Sequence, residues 1–236
     1  MSLLLLGFLI GMQHALEADH LAAVAALTTR SRSVAATARQ GAAWGLGHTV
    51  TLFLFGSIVL WLDRAVPDRL AYALEFAVGV MLVALGVDVL RRLSKQRVHF
   101  HSHEHDDGIT HFHAHSHVKA TDHHNDSHRH DHAKGFALRA LFVGLMHGMA
   151  GSAALILLTL QTVQSPLVGM MYIGLFGIGS IVGMAVLSAT IAIPLRYSAN
   201  ALTWLHNGLH VTIGVVTIVL GLLLMHQVGV VHGLFV

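Results

Sequence analysis

Six stretches of this chain are apolar over about the length that a helix needs to cross a bilayer, and their recurrence constrains the fold more than any motif does. They run near residues 2–28, 40–62, 70–92, 136–161, 166–194 and 202–225. A helix spans the hydrocarbon layer with roughly 20 apolar residues, and helices keep every backbone polar group satisfied in lipid. The composition agrees: 54% of residues are hydrophobic and 11% charged, whereas about a quarter of the residues in soluble domains are charged. The expected class is an all-α integral membrane protein with six transmembrane helices. No Lys or Arg precedes the first apolar run, and acidic residues interrupt it. It is therefore expected to stay as the first span rather than leave as a signal peptide. Cysteine is absent, which excludes disulfides, thiolate metal sites and Cys nucleophiles.

The connections carry the orientation. Of the 14 Lys and Arg, all but Arg64 and Arg69 lie at the first, third and fifth connections. Basic loops stay in the cytoplasm, so both termini are expected outside, in an inner (plasma) membrane. With the basic residues in loops rather than on one face, the net charge of +2 gives no reason to expect a nucleic-acid partner. Residues 93–134 form a distinct compositional block with 13 of the 21 histidines. Too polar to build a core, this block is expected to be a cytoplasmic loop without structure unless metal orders it.

An internal repeat divides the rest. "GMQHALEADHLAA" from Gly11 aligns with "GLMHGMAGSAALI" from Gly144, which pairs His14 with His147. "GLGHTV" from Gly45 resembles "GIGSIV" from Gly177, and "GVMLVALG" from Gly79 resembles "GVVTIVLG" from Gly214. All three matches keep the same order at offsets of 132 to 135. Residues 1–92 and 135–236 thus read as two three-helix units. An odd number of spans forces them to opposite orientations, and inverted repeats commonly place a substrate site at the midplane between them.

The polar residues inside the apolar segments carry the chemistry. "HALEADH", from His14 to His20, sets two histidines, Glu17 and Asp19 into the first span. On a regular helix at about 100° per residue, His14, Glu17 and His20 share one side and Asp19 points nearly opposite. If all four converge, the helix must unwind locally. A central Asp costs about 2.5–3.5 kcal/mol in a membrane helix, so such residues usually line a pathway or pair with one another. The plain alternative is that they only hold helices together by hydrogen bonds. Other spans supply matching groups: His48 in "LGHT", His147 in "GLMHGMAGS", and the i, i+4 pair His206 and His210 in "LHNGLH". That pair has chelating spacing, but would equally suit an interfacial role. Glu75 and Asp88 are further contributors or merely interfacial, and Met12, Met146 and Met149 are better read as packing. Imidazole with carboxylate suits nickel, cobalt, zinc or copper dications. Because imidazole ligates only when neutral, binding is expected to weaken below about pH 6.

The H-x4-D-H form of "HALEADH", with "LGHT", "GLMHGMAGSAAL" and the His-rich block after the third span, resembles the nickel/cobalt transporter (NiCoT) family in its six-helix, urease-accessory UreH-like branch. The resemblance runs through nearly the whole chain. It implies a permease for Ni²⁺ or Co²⁺, nickel being favoured, most members working in uptake. By motif match it implies roles for His14, Asp19, His20 and His48. The family signature commonly has Asp where this chain has Glu17, and the later acidic signatures of eight-helix members are missing here.

The expected metal set is His14, Glu17, Asp19, His20, His48, His147, His206 and His210, with Asp19 as ligand or orienter. The ion is substrate rather than cofactor, and no enzyme activity is expected. The expected partners are a divalent transition metal, the lipid bilayer and a cytoplasmic metallochaperone, with the His-rich loop as a metal buffer. No G-x4-G-K-[ST] occurs, so energy must come from the membrane potential, a gradient or another protein. The alternatives are export of nickel, cobalt or zinc by related six-helix proteins, a cation diffusion facilitator, and a His-cluster membrane metalloenzyme. The facilitator would need its His-rich loop after the fourth span. The metalloenzyme would need several HxxxH boxes, and outside the His-rich block only His206/His210 has that spacing.

Overall fold

The computed structural model describes residues 2–29, 33–62, 67–95, 98–104, 110–116, 137–149, 165–201 and 203–235. The helices are α1 (Ser2–His14), α2 (Ala18–Thr28), α3 (Val34–Leu62), α4 (Asp68–Lys95), α5 (Ala137–Met149), α6 (Pro166–Ala201) and α7 (Thr203–His226). A π-helical turn, Gln227–Val231, continues α7. Among the described residues, three spans, Asp68–Ser94, Leu167–Ser198 and Trp204–Val231, are long and apolar enough to cross a membrane. Large apolar side chains such as Val80, Ile178, Val186, Leu222 and Leu223 are exposed along them. In water such a surface would be an extensive apolar patch; facing lipid it costs nothing.

Helices inside a bilayer gain no hydrophobic reward for meeting, so close backbone approach and hydrogen bonds must hold them together. The glycines provide the approach. A Cβ on Gly11 of α1 would overlap the Phe176 carbonyl of α6, and one on Gly144 of α5 would overlap the Trp44 carbonyl of α3. Gly79 and Gly86 of α4 meet the carbonyls of Gly221 and Gly214 of α7. Hydroxyls add crosslinks: Ser180 Oγ donates to the Gly11 carbonyl at 3.1 Å, Thr49 Oγ1 to the Gly177 carbonyl at 3.0 Å, and Thr51 Oγ1 to the Leu145 carbonyl at 3.1 Å. The principal pairings are α1 and α3 with α6, and α4 with α7. The core gathers Ala15, Val24, Trp44, Leu82 and Met184.

Several expectations change. The first segment, read as one helix over 2–28, is two helices separated by Ala15–Glu17. The fifth, expected to end at Pro194, continues to Ala201, because a membrane helix can re-satisfy the carbonyl that a proline frees. The fourth, expected over 136–161, is described only as far as Met149. Within the His-rich stretch, strands β1 (Val98–Glu104) and β2 (Thr110–Ser116) pair antiparallel, an addition to the helical fold where a structureless loop was expected. Both strands alternate residue by residue, "VHFHSHE" and "THFHAHS", the period of a strand. Their register sets His99 opposite His115, His101 opposite His113 and His103 opposite His111. The remaining loop histidines, from His117 onward, lie outside the described residues, as does His105.

Candidate metal centre

The break in the first segment builds the site. Leu16 N–H bonds the Gln13 carbonyl at 2.9 Å and Glu17 N–H the His14 carbonyl at 3.1 Å. These i to i−3 bonds tighten the chain into a turn. Glu17 then takes an extended conformation, φ −62° and ψ 149°, and caps the new helix α2. Its carbonyl accepts from Leu21 N–H at 2.8 Å. One extended residue resets the phase between the two helices. Asp19, which a regular helix would aim away from His14, now joins the same cluster.

Four imidazoles meet there from four helices: His14 (α1), His20 (α2), His48 (α3) and His147 (α5). Ring centroids are 4.3 Å apart for His14 and His20, 4.1 Å for His20 and His147, 5.2 Å for His14 and His48, and 5.1 Å for His20 and His48. His20, His48 and His147 are essentially inaccessible. The ligand atoms of His14, His20 and His48 all lie within 4.8 Å of one another, and so do those of Asp19, His20 and His147. His20 belongs to both groups, so the cluster offers two adjoining positions for a cation.

The carboxylates decide which nitrogens are available. Asp19 Oδ1 accepts from His20 Nδ1 at 3.0 Å and from the His20 backbone N–H at 2.8 Å. Asp19 Oδ2 accepts from His147 Nε2 at 3.0 Å. An ionised carboxylate only accepts, so both rings give their proton to Asp19 and keep a bare lone pair on the other nitrogen. Those nitrogens, His20 Nε2 and His147 Nδ1, are buried without a hydrogen-bond partner among the described residues. Glu17 Oε1 likewise accepts from His14 Nδ1 at 2.8 Å, leaving His14 Nε2 bare at 3.2 Å from His48 Nε2. Metal-binding histidines typically pass their second N–H to a carboxylate in this way. With a metal–nitrogen bond of about 2.0–2.1 Å, neighbouring ligand nitrogens sit roughly 2.9–3.4 Å apart. The His14–His48 separation lies in that range.

Of the eight expected ligands, five converge: His14, Asp19, His20, His48 and His147. Glu17, expected to line the cavity, stands at its rim with its side chain 57% exposed, because the turn swings it outward, where it meets the His14 ring. His206 and His210 pair with each other on α7 instead, rings 4.2 Å apart. Asp88 is engaged by Arg92 at 2.7 Å, and Glu75 is half-buried on α4. Sequence reasoning missed Trp44. Its ring lies 5.4 Å from His20 and 5.6 Å from His147, with its indole nitrogen buried and unpartnered among the described residues. The signal was there: Trp44 precedes His48 by one helical turn and so shares its face. Phe176, facing His14 at 5.2 Å, closes the opposite side.

All 236 residues align at 36% identity with the urease accessory protein UreH of Bacillus sp. strain TB-90, covering 95% of that protein. The chain belongs to the UreH family. With its three long apolar helices, this UreH relative is a membrane protein. A second similarity, 29% identity over 187 residues, is to the chloroplast protein FOR GROWTH AND FERTILITY 1 of Arabidopsis thaliana, and takes in 78% of this chain and 48% of that protein. No family model matches the chain, and no solved structure does.

Proposed function

We propose that this chain is a multi-pass permease, not an enzyme, that carries Ni²⁺ or Co²⁺ across the inner membrane through the four-imidazole cluster. One observation carries the reading. Histidines from four helices, three of them fully buried, meet with bare lone pairs, and His14, His20 and His147 are each oriented by a carboxylate. A dication entering the bilayer must exchange its water shell for ligands of similar strength, and neutral imidazoles serve nickel, cobalt, zinc and copper alike. Nickel is favoured by kinship, since the full-length relative is by name an accessory of urease and the motifs resemble nickel/cobalt transporters.

The six-span, inverted-repeat architecture belongs to the same proposal. Its support is reciprocal packing. Gly11 and Gly144 occupy matching positions of the two halves, and so do Trp44 and Phe176; Gly11 packs on Phe176 while Gly144 packs on Trp44. Each half thus lends its first helix to the other half's second. Uptake is the proposed direction, with both termini outside. The His-rich residues 93–134 would buffer arriving metal in the cytoplasm and present it to a metallochaperone.

The deciding experiment is accumulation of radiolabelled nickel in cells expressing the chain, with and without an uncoupler. Accumulation above control cells that collapses with the uncoupler supports uptake. A fall below control indicates export. Identical levels in all cells would end the transport reading.

A further inference from the structure

His206 and His210 hold a second arrangement of the kind seen at the centre. They occupy successive turns on one face of α7, their rings 4.2 Å apart, and each Nδ1 faces an oxygen. His210 Nδ1 lies 2.9 Å from the His206 carbonyl oxygen. That oxygen can only accept, so Nδ1 bears the proton and Nε2 is bare. His206 Nδ1 lies 3.2 Å from Ser198 Oγ on α6. The single Ser198 proton goes to the Leu195 carbonyl at 2.9 Å, so Ser198 accepts from His206, and His206 Nε2 is bare as well. Two imidazoles at i, i+4 with their other nitrogens committed to fixed acceptors are a preorganised two-point chelate.

The position of the pair gives it a purpose. Ser198 lies near the end of α6, Arg92 in the last turn of α4, and His210 has the Thr29 backbone at the end of α2 and the Arg92 charge as neighbours. Asp88 offsets that charge at 2.7 Å. The ribbon bearing His99–His115 starts at Val98, directly beyond the end of α4 at Lys95, and so is rooted at this end. Toward the centre, Thr217 Oγ1 meets the Ala22 carbonyl at 3.4 Å, two residues beyond His20. His210 precedes Thr217 by two turns, about 10 Å along the helix axis. Both rings are partly exposed and open to an ion that keeps part of its water.

We infer that His206 and His210 form a second, weaker site for a transition-metal dication, a station between the buried cluster and the His-bearing ribbon. Water completes the shell, and with two protein ligands the ion is readily passed on. The purpose, though not the binding, rests on the transport reading above.

Residue-resolved labelling tests it in the full-length protein: diethyl pyrocarbonate modification of histidines, read by peptide mass spectrometry across a Ni²⁺ titration. His206 and His210 should lose most of their labelling together, at higher Ni²⁺ than protects His14. Their protection should persist in His48→Ala, which disables the central cluster. In His206→Asn, His210 should lose protection, and Ser198→Ala should raise the Ni²⁺ needed for half-protection about tenfold or more. Unchanged labelling of both rings at a hundredfold above the concentration that protects His14 overturns the site, as does protection that disappears in His48→Ala. Protection of His206 and His210 without any at His14 would keep this site and remove the central one.

Discussion

His14 Nε2 and His48 Nε2 face each other at 3.2 Å, from helices α1 and α3. Two bare nitrogens at that distance repel, so one ring must donate a proton to the other whenever no cation lies between them. Glu17 already takes the proton of His14 Nδ1 at 2.8 Å, which makes His48 the donor. An ion bound by both rings replaces a single hydrogen bond with two coordinate bonds. For the same reason, loss of one ring leaves the other without a purpose. His14→Ala and His48→Ala should each reduce nickel accumulation more than tenfold, since even orienting residues contribute 10–100-fold to metal affinity. Uptake assays normalised to the amount of protein in the membrane will show it; normal accumulation by both variants would remove the site.

Asp19 and Glu17 should differ in their importance. Asp19 orients two buried rings, so Asp19→Asn, which turns one acceptor into a donor, should weaken Ni²⁺ binding about 10–100-fold. Glu17 is mostly exposed, and an exposed pair contributes at most ~1 kcal/mol. Glu17→Gln keeps an acceptor for His14 and should change affinity by less than about fivefold. Calorimetric titration of chains whose residue 99–132 histidines are replaced by serine reads both without interference from the loop.

The glycine approaches should be intolerant of even one methyl. Gly11→Ala and Gly144→Ala would push a Cβ into the Phe176 and Trp44 carbonyls and should destabilise by about 1–3 kcal/mol, the cost of overpacking. Among the described residues, nothing outside its own helix backbone lies within 4 Å of the corresponding atom at Gly174. Gly174→Ala should therefore be neutral or gain up to ~1 kcal/mol from helix propensity. Thermal unfolding in detergent compares the three.

Trp44 offers an optical reporter. Trp61 and Trp204 are 79% and 70% exposed, whereas Trp44 is buried beside His20 and His147. In a Trp61→Phe, Trp204→Phe chain, Ni²⁺ should quench the remaining indole emission, and the quenching should vanish on adding His20→Ala. Emission indifferent to Ni²⁺ would mean that no ion settles near these rings.

The apolar segments were legible because lipid imposes one simple requirement, length without charge, that any sequence displays openly. The meeting of His14, His48 and His147 could be anticipated from the repeat and from the cost of polar groups at depth. The exchange of places between Asp19 and Glu17 could not. It turns on the conformation of one residue, Glu17, and no periodicity announces where a helix will accept an extended link. His206 and His210 were grouped with the centre because spacing gives ligand pairs but not their distance from other helices. The ribbon was missed for a different reason. Polar composition was given more weight than the strict two-residue alternation of "HFHSHE" and "HFHAHS", which is the stronger signal.

The extended link at Glu17 also divides the cluster between two movable pieces. His14 belongs to α1, which leans on α6, while Asp19 and His20 belong to α2, which also touches α7 and α4. A cation gripped by His14 and His20 would pin this joint at one angle, and its departure would free the half-helices to swing apart. The cargo itself would then be the latch of the gate that it passes through.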